Sequence, residues 1–271
     1  MSTENTVTQE QEFLLGRECA QAALSIGEGL TLIRKYDYVK HAYGTQAFFM
    51  LSIGIERLLK IILIYNHRRT NNNDFPDNAV LKSKGHKIKS MFEVAINIAG
   101  EIRQSDIYEP LKTDPIYNLI IDFLTDFAHT SRYYNLDTLT GFPNATNEPL
   151  REWNIKINKI IIERHYKHNT HKAEAIESLT SAIGENFLVS FDNEEGKRIT
   201  NIKDFYLEGL TVDVKQKYSM FYVFCIVRFL SELLWHLDKN LYPFVSEYFV
   251  DFRQPDDAYV KRRKVWNLYN K

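Results

Sequence analysis

Apolar residues recurring every three or four positions over long stretches constrain this chain more than any other feature. They commit it to helices that must bury one face against each other. Residues 10–36 carry Phe13, Leu14, Ala20, Ala23, Leu24, Leu30 and Ile33 in that spacing, and residues 42–66 repeat it through Phe48, Leu51, Ile55, Leu58, Leu59 and Ile62. Three asparagines and a proline between Thr70 and Asn78 then mark a loop. The pattern predicts a third helix from about Lys87 to Arg103. Past a connector bounded by Pro110 and Pro115 it predicts a fourth, from Ile116 to about Leu136, ended by Gly141-Phe142-Pro143-Asn144.

The second half is less regular. Residues 150–168 read as a basic helix and 172–183 as a short one. Phe187 to Phe191, a turn cluster Asp192-Asn193-Glu194-Glu195-Gly196, and Arg198 to Ile202 predict one small β-hairpin near 186–203. Residues 213–240 return to a long helix rich in Phe and Leu, and two short helices are expected after Pro243 and after Pro255. The expected organisation is a flexible N-terminus (1–12), a helical bundle (13–145) and a helical extension with the hairpin (146–271). The fold class is all-α.

Composition narrows the function classes. The chain has 271 residues, 34 Lys+Arg against 35 Asp+Glu, and only two cysteines, Cys19 and Cys225. Such a chain buries enough surface to fold without a metal or disulfide staple. Near-neutral charge excludes an overall polybasic nucleic-acid binder. Residues 1–12 lack a basic region and an apolar region, so no secretory signal is expected. The run from Ala47 to Tyr65 contains Glu56, Arg57 and Lys60, which fits a packed helix and not a membrane span. The expected location is the cytoplasm, and Asn144-Ala145-Thr146 is then a chance sequon. Charge is nonetheless segregated: residues 66–89 and 151–172 each balance at +4, and 101–126 at −4. These patches suit self-association or a polyanionic partner, and equally suit solvated helix faces.

Four constellations could carry chemistry. Glu56 precedes Lys60 by four residues, the favourable order for a helix ion pair. Gly85-His86-Lys87-Ile88-Lys89 sits where a helix begins, so free amides with Lys87 and Lys89 could hold a phosphate; a simple start signal with lysines reaching to solvent reads equally well. On the fourth helix Asp122, Asp126, His129 and Tyr133 fall within about 60° of one another, with Arg132 at the margin and Ile120, Phe123, Phe127 and Tyr134 opposite. That stripe is either a site or an interhelical hydrogen-bond network. Finally, His165, His168 and His171 follow Arg164 at three-residue intervals, but no carboxylate or cysteine joins them at a zinc spacing, so no metal is expected.

Taken in order, the long first helix, Glu56-Arg57-Leu58-Leu59-Lys60, Gly85-His86-Lys87-Ile88 and Phe127-Ala128-His129-Thr130-Ser131-Arg132-Tyr133 resemble the HEPN superfamily over about residues 12–140. These helical-bundle domains occur beside nucleotidyltransferases, in toxin–antitoxin pairs and in phage-defence proteins. Where such members have proline after the tyrosine, this chain has Tyr134. The abortive-infection V proteins share a similar order of Glu, Lys and His-Lys-x-Lys. The resemblance implies a homodimer. In its ribonuclease members, an Arg and a His separated by four to six residues cleave RNA without metal, His assisting the 2′-hydroxyl and Arg stabilising charge on the phosphate.

Two pairs match that spacing. Arg34 and His41 have six residues between them, but Lys35 follows the arginine and the pair lies early. Arg164 and His171 also have six between, beyond the matched bundle, and are the catalytic candidates. His129 precedes Arg132, the wrong order. The reading is therefore a cytoplasmic HEPN-like interaction module of a defence or toxin-related system. It is expected to be a homodimer without cofactor or membrane, binding a nucleotide, RNA or protein partner through Glu56, Lys60, His86, Lys87, Asp126, His129, Arg132 and Tyr133. The alternatives are a metal-independent endoribonuclease using Arg164 and His171, and a structural adaptor with no nucleic-acid ligand.

Overall fold

The computed structural model describes residues 7–102, 105–142, 147–183 and 189–266. The chain opens with two long helices, α1 (Gln9–Ile33) and α2 (His41–Thr70). Thr8 caps the first reciprocally. Its hydroxyl accepts from the Gln11 amide at 3.1 Å, and the Gln11 side chain accepts from the Thr8 amide at 3.0 Å, so two otherwise orphaned donors are satisfied. The helices run antiparallel: Gly54 lies against Ala22 and Ile26, and Leu51 against Gly29.

Helices α3 (Asn78–Lys84), α4 (Ile88–Glu101), α5 (Ser105–Thr113) and α6 (Pro115–His129) follow. The expected connector between Pro110 and Pro115 is largely taken up by α5, which carries Pro110 inside it. Asp114 caps α6 by accepting from the Ile116 amide at 3.0 Å. Pro115 takes the first helical position, where a missing N–H costs nothing.

The fourth expected helix ends early, at His129 and not Leu136. Thr130 leaves helical geometry at φ −131°, and its hydroxyl donates back to the Asp126 carbonyl at 3.0 Å. A 3-10 turn (Ser131–Tyr133) and the short α7 (Tyr134–Leu139) follow, so Tyr133 does not share the helical phase of Asp122 and Asp126.

The basic helix expected over 150–168 is built in pieces: α8 (Pro149–Trp153), a π turn (Asn154–Asn158) and α9 (Lys159–His165). Then come α10 (Thr170–Ile183) and the hairpin of β1 (Phe191–Asp192) and β2 (Arg198–Ile199), paired Phe191 to Ile199 and Asp192 to Arg198. The expected strand residues Phe187 and Leu188 lie outside the described residues. Helices α11 (Ile202–Gly209) and α12 (Val212–Asp238) lead to a 3-10 turn (Ser246–Phe249) that runs into α13 (Val250–Arg253), and α14 (Asp257–Arg262) follows. The chain is an all-α bundle with one small hairpin among the described residues.

Helix α12 is the centre of that bundle. Met220 to Phe224 are consecutively buried, so the helix has no solvent face there. It packs on α1, α2, α4, α6 and α9. Phe229 meets Phe92 of α4 at 5.9 Å, Tyr222 meets Tyr117 of α6 at 5.6 Å, and Phe224 meets Trp266 at 4.8 Å. Phe48, Phe123 and Trp153 join α2, α6 and α8 with centroids within 5.0 Å. One core therefore crosses the boundary expected near residue 145. The stretch Ile202–Asp238 is long and apolar enough to cross a membrane by length and composition, but 72% of its apolar window is buried in the bundle.

Candidate functional site

The residues singled out from sequence fall into two groups. On the face of α2, α4 and α6, Glu56 is held between two partners: Lys60 Nζ at 2.7 Å and His86 Nδ1 at 2.9 Å, with its side chain 13% exposed. Lys89 Nζ meets Asp122 at 2.8 Å, and the Lys89 amide donates to the Thr125 hydroxyl at 2.9 Å. The Ile88 amide is taken by the His86 carbonyl at 3.0 Å. Two first-turn amides of α4 are thus already occupied, and Lys87 is exposed at the cap position.

Asp126 is exposed, yet partial desolvation and the nearby Glu152 carboxylate hold its carboxyl above the usual range. His129 is exposed at the end of α6, with no hydrogen bond to Asp126 among the described residues. The Arg132 guanidinium instead lies 5.0 Å from the Tyr133 ring, and its buried Nε has no partner among the described residues. The seam is charge-paired at Glu56 and Lys89, and no hydrogen bond or ion pair joins Arg132 or Tyr133 to Asp122 or Asp126 among the described residues.

The second group does not come together. Arg164 grips Asp114 with both arms, at 2.6 and 3.0 Å, and approaches the Tyr222 hydroxyl at 3.4 Å. Its partners raise the guanidinium pKa further above its ordinary value. His171 is 94% exposed, with Nδ1 3.8 Å from Glu174. No hydrogen bond or ion pair joins Arg164 and His171 among the described residues. His165 is engaged instead: its ring stacks on Tyr218 at 3.6 Å, and Nε2 lies 2.9 Å from the Tyr222 hydroxyl. Burial, then Arg164 and Lys261, hold its pKa below the ordinary value. No cluster of three metal-ligating side chains occurs among the described residues.

The cavities lie elsewhere, in a cleft around the hairpin. The first, about 430 Å³, is walled by the hairpin tip, α9, α11 and the start of α12. The second, about 700 Å³, is walled by His41, Thr45 and Gln46 of α2, Tyr134 and Asn135 of α7, Arg151 of α8 and the hairpin tip. Asn193 and Glu194 belong to both walls. A third, about 370 Å³, shares Tyr134, Glu148 and Arg151 with the second. These volumes are those of ligand pockets.

Electrostatics decide what the cleft can hold. Its acids are largely occupied. Glu148 caps α8 by accepting from the Leu150 and Arg151 amides. Glu194 accepts from the Tyr36 hydroxyl at 2.5 Å and from Lys215 Nζ. Burial and the Glu194 carboxylate push the Tyr36 phenol far above its ordinary pKa. Lys159 meets Glu195 at 3.5 Å, and Lys156 meets Glu152. Arg151, Thr45, Gln46 and Asn135 have no side-chain partner among the described residues, and the buried His41 Nε2 has none either. The second cavity thus offers one guanidinium without a salt-bridge partner among the described residues, with the Glu148 carboxylate in the same wall, an aromatic ring, and amide and hydroxyl groups.

Sequence reasoning missed Tyr36, Glu194 and Lys215. One signal was present: Lys215, Ser219, Tyr222 and Ile226 share a helical stripe that is otherwise core. The chain matches no family model, no curated protein and no solved structure.

Proposed function

We propose that this protein is a HEPN-like helical binding module whose second cavity takes a compact, phosphate-bearing ligand of the nucleotide class. The observation that carries the reading is Arg151, a cation without an acidic partner among the described residues, standing beside Tyr134 where the second and third cavities meet. Guanidinium recognises phosphate oxygens with two donors, and an aromatic face accepts a base by stacking. Gln46, Thr45 and Asn135 can then read base or sugar edges. The lining of the three cavities, five Lys/Arg against six Asp/Glu, favours a compact ligand over a long polyanion, which would need an uncompensated basic track.

The defence or toxin-related setting, the homodimer and the cytoplasmic location rest on the sequence resemblance and patterning alone and belong to the same proposal. The ribonuclease alternative ranks below it, because Arg164 is committed to Asp114. Calorimetric titration with a panel of mononucleotides is expected to give binding that weakens at least tenfold in Arg151→Ala and falls as salt rises. Saturable binding unaffected by that substitution would move the ligand elsewhere, and no binding of any member would favour the adaptor reading.

A further inference from the structure

The hairpin tip does something its strands do not require. Each strand has two paired residues, a marginal unit by itself. The tip is closed by its own bonds: the Asn193 amide donates to the Lys197 carbonyl at 2.9 Å, and Asn193 Oδ1 accepts from the Glu195 and Lys197 amides at 3.0 and 2.9 Å. Gly196, at φ +77°, supplies the left-handed residue the turn needs. The tip is also tied to the helices, Asn193 Nδ2 donating to Glu208 of α11 at 3.0 Å and Lys159 of α9 meeting Glu195 at 3.5 Å, bonds that lifting it would break, and it carries Glu194 into the interior, where it is 5% exposed.

The groups that receive it belong to the helical framework. Lys215, 6% exposed, lies in the first turns of α12. Tyr36, 9% exposed, lies in the joint between α1 and α2, and its carbonyl accepts from Gln216 Nε2 at 2.6 Å, which ties that joint to α12. Two residues earlier, Arg34 is 6% exposed, and its Nε and Nη1 have no partner among the described residues. The charge that acts on Arg34 is Asp213, and the buried donors that Glu194 serves are Tyr36 and Lys215. The Glu194 carboxylate also stands in the wall between the first and second cavities.

We propose that the Tyr36 hydroxyl and the Lys215 ammonium form an anion cradle, filled here by Glu194 and taken by an anionic group of the ligand when the hairpin tip lifts. Glu194 is then a stand-in carried by the chain itself, and lifting the tip joins the two cavities into one. The proposal deepens the ligand reading above and rests on it only for the ligand's identity. Apolar contacts at the hairpin base, Phe191 with Tyr38 at 5.3 Å and with Phe205 at 6.0 Å, would keep the strands attached while the tip moves.

The test uses inorganic phosphate and the full chain, in an Arg151→Ala background so that phosphate held by that arginine does not contribute. Glu194→Gln, which keeps the shape and removes the competing charge, is expected to bind phosphate at least tenfold more tightly than its parent, and adding Lys215→Met is expected to abolish the gain. Hydrogen exchange supplies an arm that needs no change at the cradle. With Glu194 intact, phosphate is expected to speed exchange of the amides of residues 193–197 while α1 and α2 stay protected. Equal affinity with and without Glu194, a gain that survives Lys215→Met, or unchanged tip exchange under phosphate would each overturn the cradle. A lack of nucleotide binding alongside the phosphate gain would sink only the nucleotide reading.

Discussion

Arg164 on α9 and Asp114, the cap of α6, form a two-armed ion pair with contacts of 2.6 and 3.0 Å across fifty residues of chain. One carboxylate both starts a core helix and anchors the segment that a ribonuclease reading would make catalytic. Arg164→Ala is therefore expected to lower stability by about 1 kcal/mol, discounted for partial exposure. A thermal melt reads the change, and an unaltered melting temperature would show the pair to be incidental.

The purified protein is expected to leave RNA intact in the presence of EDTA. His171 is 94% exposed and does not meet Arg164, so no proton acceptor is positioned beside that guanidinium. Cleavage that persists in EDTA and disappears in His171→Ala would reinstate the enzyme.

Glu56 binds Lys60 and His86 at once, from a side chain that is 13% exposed. Glu56→Ala should cost about 1–2 kcal/mol, because both partners lose their carboxylate at a partly desolvated site. Glu56→Gln, which retains hydrogen bonding, should cost less. Chemical denaturation of the two variants separates these outcomes, and equal stability of wild type and Glu56→Ala would contradict the arrangement.

His165 links stability to pH. Burial, Arg164 and Lys261 hold its folded pKa below the ordinary 6.5. The unfolded state then binds the proton more readily, so stability rises with pH through this window and is lost as pH falls below about 6.5. Melting temperatures at pH 7.5 and 5.5 should differ less in His165→Asn than in wild type. A variant with the same pH dependence as wild type would remove His165 as a source.

Gly54 allows α1 and α2 to approach. A Cβ there would stand 2.7 Å from Ile26 Cγ1, 2.9 Å from the Ile26 amide nitrogen and 3.0 Å from the Ala22 carbonyl oxygen. Two of these are backbone atoms that cannot rotate aside. Gly54→Ala is expected to cost about 1–3 kcal/mol despite its better helix propensity. A stabilised variant in urea denaturation would mean that the helices part without penalty.

Parts of the site could be read directly and parts could not. Glu56 with Lys60 is a four-residue spacing on one helix, so its geometry follows from helical pitch alone. His86 lies thirty residues from Glu56 and reaches it through the packing of α4 on α2, which no local spacing gives. The stripe from Asp122 to Tyr133 fails at Thr130, whose backbone leaves helical geometry at φ −131°, so the helical phase is lost before Arg132 and Tyr133. Wheel geometry assumes an unbroken helix, and this one ends at His129.

Local pattern determined the all-α class, the two long opening helices, the place of the hairpin and the long late helix, because hydrophobic period and turn chemistry act over a few residues. Tertiary structure alone decided that α12 runs through the middle of the bundle. It also decided that Arg164 pairs with Asp114 and not with His171, and that Tyr36, Glu194 and Lys215 meet. Tyr36 and Glu194 are 158 residues apart. Their meeting depends on which helix faces pack to bury the most apolar surface, and no short-range spacing encodes that choice.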